Sequence, residues 1–292
     1  MPATSKQLWL RLFLPFAAGY FLSYLYRTAN AVIGPVLARD LGLGDNALGL
    51  LTSTYFLAFG AAQLPLGMLL DRFGPRRVES ALLVLAAAGA AVFAMSDSLA
   101  GLAVGRALIG LGVSACLMAS FKAFSQWFPP ERQASLTGWI MASGGLGALA
   151  ASKPLEMALG IAGWREILLA LAVITLVVAG ALWGFVPDKP TEDKGASVAE
   201  QLSGVRQIFG SRHFWRYGPM AFWLTGGFMA VQGLWASRWM NVIEQMDRAA
   251  IAARLTWISA AMLAGFLFMG FFATGLVRRG IKLENVYLAA MA

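Results

Sequence analysis

Apolar residues along this chain gather into long blocks, broken by short knots of charge, glycine and proline. A helix needs about 20 apolar residues to cross hydrocarbon. Eight blocks reach that length, over 8–37, 46–70, 78–96, 99–125, 135–160, 165–186, 214–240 and 251–277, and a ninth starts near 284. Each predicts a membrane-spanning helix. Most connectors are short and carry turn or capping residues: Gly42-Leu43-Gly44-Asp45-Asn46, Ser96-Asp97-Ser98 and Phe128-Pro129-Pro130-Glu131-Arg132. One connector is longer and polar, from Pro187 to about Arg212, and separates six blocks from the rest. Within it, 199–209 predicts a short helix at the membrane surface. The pattern predicts an all-α membrane protein, with a six-helix bundle over 1–187, an inter-bundle loop over 188–213 and a partial second bundle over 214–292. The polar start, Met1–Gln7, is short and the first block is too long for a cleaved signal peptide, so it is read as a retained span.

Composition agrees with a lipid environment. Only 13% of the 292 residues are charged, 59% are hydrophobic and the mean hydropathy is +0.66, whereas soluble domains carry about 25% charge. The net charge of +8 would suggest nucleic acid in a soluble protein. Here the positive charges cluster at the ends of blocks, where the positive-inside rule and anionic headgroups account for them, so no nucleic-acid partner is expected. Lys6, Arg11, Arg72, Arg76, Arg77, Arg132, Lys189, Lys194, Arg206, Arg212, Arg216, Arg278, Arg279 and Lys282 fall on one side. Arg39, Arg165, Arg238, Arg248 and Arg254 fall on the other. The richer side predicts the cytoplasm, with the N-terminus inside a cell inner or plasma membrane. The single cysteine, Cys116, and the single histidine, His213, leave no basis for a disulfide framework or a metal centre. There is no Walker motif and no Ser/His/Asp set, so neither a cofactor nor an enzyme is expected.

The most telling knot is Gly67-Met68-Leu69-Leu70-Asp71-Arg72-Phe73-Gly74-Pro75-Arg76-Arg77. Gly67 leaves a helix face bare for close packing, Asp71 and Arg72 end the span, and Gly74-Pro75 turn the chain. The Gly-x-x-x-Asp-Arg-x-Gly spacing, followed by arginines, resembles the loop between the second and third helices of the major facilitator superfamily. There it gates conformational change and does not bind solute. Pro75 stands where that family carries a basic residue. Two further stretches resemble the same family: Gly105-Arg106-Ala107-Leu108-Ile109-Gly110-Leu111-Gly112 in the fourth block, and Trp127-Phe128-Pro129-Pro130-Glu131-Arg132 after it. A shortened echo of the first motif, Thr274 to Lys282, follows the eighth block, as expected for two six-helix repeats. On that resemblance the second half lacks its last helices, and the chain is expected to be a fragment or a truncated product.

Ionisable residues inside spans are functional candidates. Four are basic: Arg27, Arg106, Lys122 and Lys153. The acids Asp40, Asp45, Asp71, Asp97, Glu131, Glu166, Glu244 and Asp247 read as span-end or loop residues, with only Glu156 near an interior. A cavity holding cations and few carboxylates attracts an anion. Arg27 is the leading solute residue, because its fork matches a carboxylate bidentately. It shares a helical stripe with Tyr20, Ser23, Tyr24 and Ala31. Thr52, Tyr55, Phe59 and Gln63 form a second stripe, and Lys153, Gln232 and Trp235 are further lining candidates. Lys153 is equally readable as the partner of Glu156, and Lys122 as a side chain snorkelling to the surface. Gating is assigned to Gly67, Asp71, Arg72, Gly74, Arg76, Arg77, Arg106 and Gly110. Tyr-Leu-x-Arg in a first helix resembles the organophosphate antiporters and anion:cation symporters, but no second arginine lies well inside the seventh block. A small organic anion or a nitrate-like ion fits one central arginine better than a phosphate ester.

The resemblance therefore implies a secondary active transporter, symporter or antiporter, that moves a small anionic solute by alternating access. Protons or a counter-anion would serve as coupling partner, in a monomer. The alternatives are an exporter of a neutral or drug-like solute, a sensor built on the same fold, and a transport-inactive fragment.

Overall fold

The structure, a computed structural model, describes residues 9–188 and 198–278. Among them the regular elements are all helices. A π-helical turn, Trp9–Phe13, leads into α1 (Leu14–Leu41). Then come α2 (Asp45–Phe73), α3 (Pro75–Met95), α4 (Leu99–Gly112), α5 (Cys116–Trp127), α6 (Pro130–Ala150), α7 (Lys153–Leu159) and α8 (Trp164–Phe185). After the long connector follow α9 (Val198–Gly210), α10 (Arg212–Ala230), a second π-helical segment Val231–Trp235, α11 (Ala236–Val242) and α12 (Arg248–Arg278).

Local chemistry sets the ends. Gly42, at φ 65°, closes α1 in the left-handed conformation and its N–H bonds the Ala38 carbonyl. Gly74, at φ 79°, turns the chain so that Pro75 can open α3 at a position where a missing N–H costs nothing. The Ser98 hydroxyl accepts from the Gly101 N–H and caps α4. The fourth span is one apolar run broken at Val113–Ala115, where the Ser114 hydroxyl bonds back to the Leu111 carbonyl at 2.7 Å. The fifth breaks at Ala151-Ser152, just before Pro154.

Each of the eight predicted blocks lies on helix. Among the described residues five helices are long and apolar enough to cross a bilayer on their own: Asp45–Phe73, Pro75–Met95, the joined Leu99–Trp127, Trp164–Phe185 and Arg248–Phe268. The sequence predicted eight such spans, and the difference has a physical cause. The first run is diluted by Tyr20, Ser23, Tyr26, Arg27, Thr28 and Asn30, all of which are buried. The fifth and seventh keep helices of 21 and 19 residues, Pro130–Ala150 and Arg212–Ala230, but polar, charged and glycine residues lower their hydropathy. The ninth block, Arg279–Lys282 of the echo motif, and the connector residues Lys189 and Lys194 lie outside the described residues.

The core of the first half is a sheaf around α1. Leu12, Phe16 and Phe124 are fully buried together, with Phe13 stacked on Phe124 at 5.5 Å. α3 packs against both α4 and α8, α2 against α4, and α1 against α6 and α8. Glycines make the closest of these approaches possible. A Cβ on Gly112 would overlap the backbone of Ala86, one on Gly110 the Tyr55 carbonyl, and one on Gly147 the Phe21 carbonyl. α8 buries Leu168, Leu171, Ala172, Thr175, Ala179 and Leu182 at helical spacing. It turns Val173, Val177 and Trp183 outward, a stripe suited to lipid.

The second half joins the first through α6 and α12, and through the segment Val231–Trp235 against α1. At the Gly42 end the halves are tied by polar contacts. The Ser237 hydroxyl donates to the Ala31 carbonyl at 2.7 Å, Arg238 pairs with Asp45 at 2.7 Å, and Arg248 donates to the Glu156 carbonyl at 3.2 Å. The Lys153 N–H donates to the Thr256 hydroxyl at 3.1 Å.

Candidate functional site

Arg27 stands midway along α1 and is only 7% exposed. Its guanidinium lies between two aromatic faces, 4.6 Å from the Tyr24 ring and 5.0 Å from the Phe59 ring of α2. Such a sandwich offers cation–π attraction but leaves the N–H donors without acceptors. Among the described residues no carboxylate pairs with Arg27, and its Nε has no hydrogen-bond partner.

The surroundings repeat the theme. Tyr55 of α2 is fully buried, stacks on Phe59 at 6.3 Å, and its hydroxyl has no hydrogen-bond partner. Arg106 of α4 places its guanidinium 4.7 Å from the centre of the Tyr55 ring. Arg106 donates to the Leu51 carbonyl at 3.4 Å and the Tyr26 carbonyl at 3.3 Å, while its remaining Nη2 has no partner. Tyr55 is within electrostatic reach of both guanidiniums. Three helices thus converge three buried polar groups without an aligned partner, two arginine N–H donors and a phenol, the phenol being near enough to Arg27 to interact with it. Buried donors are ordinarily satisfied, and an unpaired buried cation is costly. An anion with oxygen acceptors can take a hydrogen bond from each of the three.

Neighbouring polar groups, by contrast, are satisfied within the bundle. Tyr20 edges onto Tyr24 at 5.2 Å and turns its hydroxyl to the Met141 sulfur at 3.7 Å. Ser23 donates to the Val113 carbonyl at 3.3 Å, at the α4–α5 break. Gln63 spends its amide on the Phe59 and Ser114 carbonyls, at 3.4 and 3.3 Å. Asn30 donates to Thr52 at 2.7 Å. The structure therefore gathers Tyr20, Tyr24, Arg27, Tyr55, Phe59 and Arg106 into one continuous cluster.

Other candidates stand apart from it. The Lys153 ammonium bonds Glu156 at 2.9 Å at the Gly42 end, in the group that ties the halves together. Gln232 is buried against the Met262 sulfur, and Trp235 is about half exposed. Lys122 does not snorkel free; its ammonium pairs with Asp71. That pair joins the α2 end to α5. Around it, Arg72 lies over the Phe73 ring at 5.3 Å, Arg76 over Trp183 of α8 at 5.4 Å, and Arg77 donates to Asp188 at 2.7 Å. The turn at Gly74 thus ties together four helix ends, those of α2, α3, α5 and α8. Gly67, read from the sequence as a close-packing position, faces open space here: no described atom lies within 4 Å of where its Cβ would stand.

One buried acid escapes the sequence reading. Glu79, in the second turn of α3, is fully buried. It stands one residue inside the third block, beside Arg76 and Arg77, and so reads as one more span-end charge. The usable signal is its four-residue spacing from the apolar Leu83, which puts both on the face that α3 buries. The shortage of buried acids expected from the sequence is corrected to that extent.

Comparisons with known proteins bear on the whole chain. The family model described as "Major Facilitator Superfamily" matches residues 16–292. A probable sulfoacetate transporter, SauU, of Cupriavidus necator is 27% identical over 194 residues, covering 66% of this chain and 44% of that protein. A galacturonate transporter of Dickeya chrysanthemi is 27% identical over 214 residues, covering 68% of this chain and 62% of that protein. The chain spans about half the length of these relatives. Among solved structures, a bacterial homologue of the human lysosomal transporter Spinster superposes with a TM-score of 0.69 at 17% identity, over 95% of this chain and 64% of that one.

Proposed function

This chain belongs to the Major Facilitator Superfamily, and on that premise we propose that it is a secondary active transporter of small organic anions that carry a carboxylate or sulfonate. The observation that carries the proposal is the buried, carboxylate-free Arg27, with the unsatisfied Tyr55 hydroxyl and Arg106 Nη2 beside it. The sulfoacetate and galacturonate relatives support the same class of cargo. Arg27 takes the anionic group through its fork, flanked by Tyr24 and Phe59, which exclude water and strengthen the contact. Arg106 holds the α1 and α2 backbones through the Tyr26 and Leu51 carbonyls, so a solute that engages its free Nη2 acts on the packing of three helices at once.

The polar ties at the Gly42 end close that end between the halves. The solute then enters or leaves from the Gly74 end in this state, and alternating access requires those ties to break. The Lys/Arg bias supports a cytoplasmic membrane location with the Gly74 end inside.

The test is uptake into proteoliposomes holding the full chain, with radiolabelled galacturonate, sulfoacetate and nitrate, and galactose as the neutral control. Saturable uptake of galacturonate or sulfoacetate in preference to nitrate, competition between the two organic anions, no galactose uptake and loss of uptake in Arg27→Ala are expected. Uptake that ignores charge, or survives Arg27→Ala unchanged, overturns the proposal.

A further inference from the structure

Three glycines fall within four residues of α6, at 144, 145 and 147, and all three are buried, while Leu146 among them is about half exposed. Each faces a different neighbour. A Cβ on Gly147 would overlap the Phe21 carbonyl of α1, and one on Gly145 would crowd the Leu263 backbone of α12 at 3.2 Å. For a Cβ on Gly144 the three nearest atoms would all belong to aromatic rings: Cε1 and Cδ1 of Tyr20 at 2.6 and 3.0 Å, and Cδ2 of Tyr24 at 2.7 Å. Both tyrosines of the anion cluster therefore rest against the bare backbone of α6 at this one position.

Contact runs unbroken from Gly144 to the anion site. α6 holds Tyr20 a second time, through the Met141 sulfur 3.7 Å from its hydroxyl. Tyr20 edges onto Tyr24 at 5.2 Å, and the Tyr24 ring lies 4.6 Å from the Arg27 guanidinium, which also meets Phe59 at 5.0 Å. Tyr20 and Arg27 have little room to give way, being 4% and 7% exposed. Tyr24 is only partly buried, so the space it can move into lies on its exposed side, beside the Arg27 fork. An added methyl group at 144 requires the rings to retreat by about 1 Å to reach ordinary carbon–carbon contact. Rings swing about their side-chain torsions, so α6 keeps its place and the substitution costs less stability than at Gly147, where the obstacle is backbone.

We propose that Gly144 is a positioning residue that sets the size of anion the site accepts, acting through Tyr24. The inference rests on the transport reading above and adds a size limit to it. With no side chain at 144, Tyr24 stands back against α6 and leaves room beside Arg27 for the carbon skeleton that carries the anionic group. A methyl group there moves Tyr24 forward by about 1 Å and narrows that room. A two-carbon acid such as sulfoacetate is compact enough to reach the fork past the displaced ring. A six-carbon sugar acid such as galacturonate brings its own ring to the same place and is obstructed.

Gly144→Ala tests this, with Gly147→Ala as the packing control on the same helix. In proteoliposomes holding the full chain, the ratio of kcat/KM for galacturonate to that for sulfoacetate is expected to fall about tenfold in Gly144→Ala, mostly through KM for galacturonate. Gly147→Ala should lower the melting temperature and keep the wild-type ratio. In a Tyr24→Leu background, where the displaced ring is gone, Gly144→Ala should leave the ratio unchanged. A purely structural role at 144 depresses both anions alike, so an unchanged ratio in Gly144→Ala, or an equal shift in Gly147→Ala, overturns the proposal. Replacing the six tyrosines by 3-fluorotyrosine gives a readout independent of transport. Gly144→Ala is expected to shift the fluorine resonances of Tyr20 and Tyr24, assigned with Tyr20→Phe and Tyr24→Phe, and to leave that of Tyr217 on α10 in place. Unmoved Tyr20 and Tyr24 resonances overturn the proposal as well. If wild type moves neither anion, the transport reading fails and size selection with it, while the fluorine shifts still decide whether Gly144 places the rings.

Discussion

Arg27 and Arg106 are both buried cations, yet their environments assign them different work. Arg106 spends two donors on backbone carbonyls of α1 and α2, whereas among the described residues Arg27 is braced by the Tyr24 and Phe59 faces and the nearby Tyr55 hydroxyl. Arg106→Ala removes two charge-assisted bonds to helix carbonyls, which keep their partners within α1 and α2, and is expected to destabilise the protein by about 1–3 kcal/mol in total, lowering the melting temperature in detergent. Arg27→Ala removes an unpaired buried charge and is expected to leave that temperature unchanged or raised, while anion uptake is lost. Arg27→Lys keeps the charge but loses the planar fork, so an intermediate fall of about tenfold in kcat/KM is expected. If both variants lose stability and activity in parallel, the division of roles fails. Tyr55→Phe tests the third unsatisfied group: it should weaken anion affinity by about 1 kcal/mol without affecting folding.

At the scale of elements, glycines decide how closely helices approach, and they do so selectively. Gly110→Ala and Gly147→Ala each drive a methyl group into a neighbouring backbone, at Tyr55 and Phe21, and are expected to cost about 1–3 kcal/mol. Gly60→Ala meets no described atom within 4 Å and should be neutral or slightly stabilising. Thermal unfolding of the three variants separates these cases. The partly exposed Asp71–Lys122 pair is worth only about 0–1 kcal/mol, so its place at the Gly74 turn is better explained by holding α2 to α5 in one conformation. Legibility in the sequence followed the same physics. Helix positions were readable because apolar blocks and turn residues are local signals. Arg27 was readable because an arginine amid apolar residues has few explanations. Glu79 was masked because its burial depends on Gly19 and Cys116, which are distant in sequence. Lys122 does reach the span end, but its partner there, Asp71, arrives from another helix and so was not readable.

For the molecule as a whole, the two halves meet at the Gly42 end through Ser237 on Ala31, Arg238 on Asp45 and Arg248 on Glu156. An alternating-access protein must release such ties once per cycle. A cysteine pair replacing Ala31 and Ser237 is expected to cross-link on oxidation and to stop uptake until reduced. The natural Cys116 is buried and offers little competing chemistry. Continued uptake by the cross-linked protein would show that this end does not open. The central claim, though, concerns charge recognition. Its most direct measurement is the calorimetric affinity of wild type and Arg27→Gln for galacturonate and for galactose, which differ by the carboxylate. The account predicts that wild type prefers galacturonate by at least about 30-fold and that Arg27→Gln binds the two alike. Equal discrimination by both proteins would contradict it.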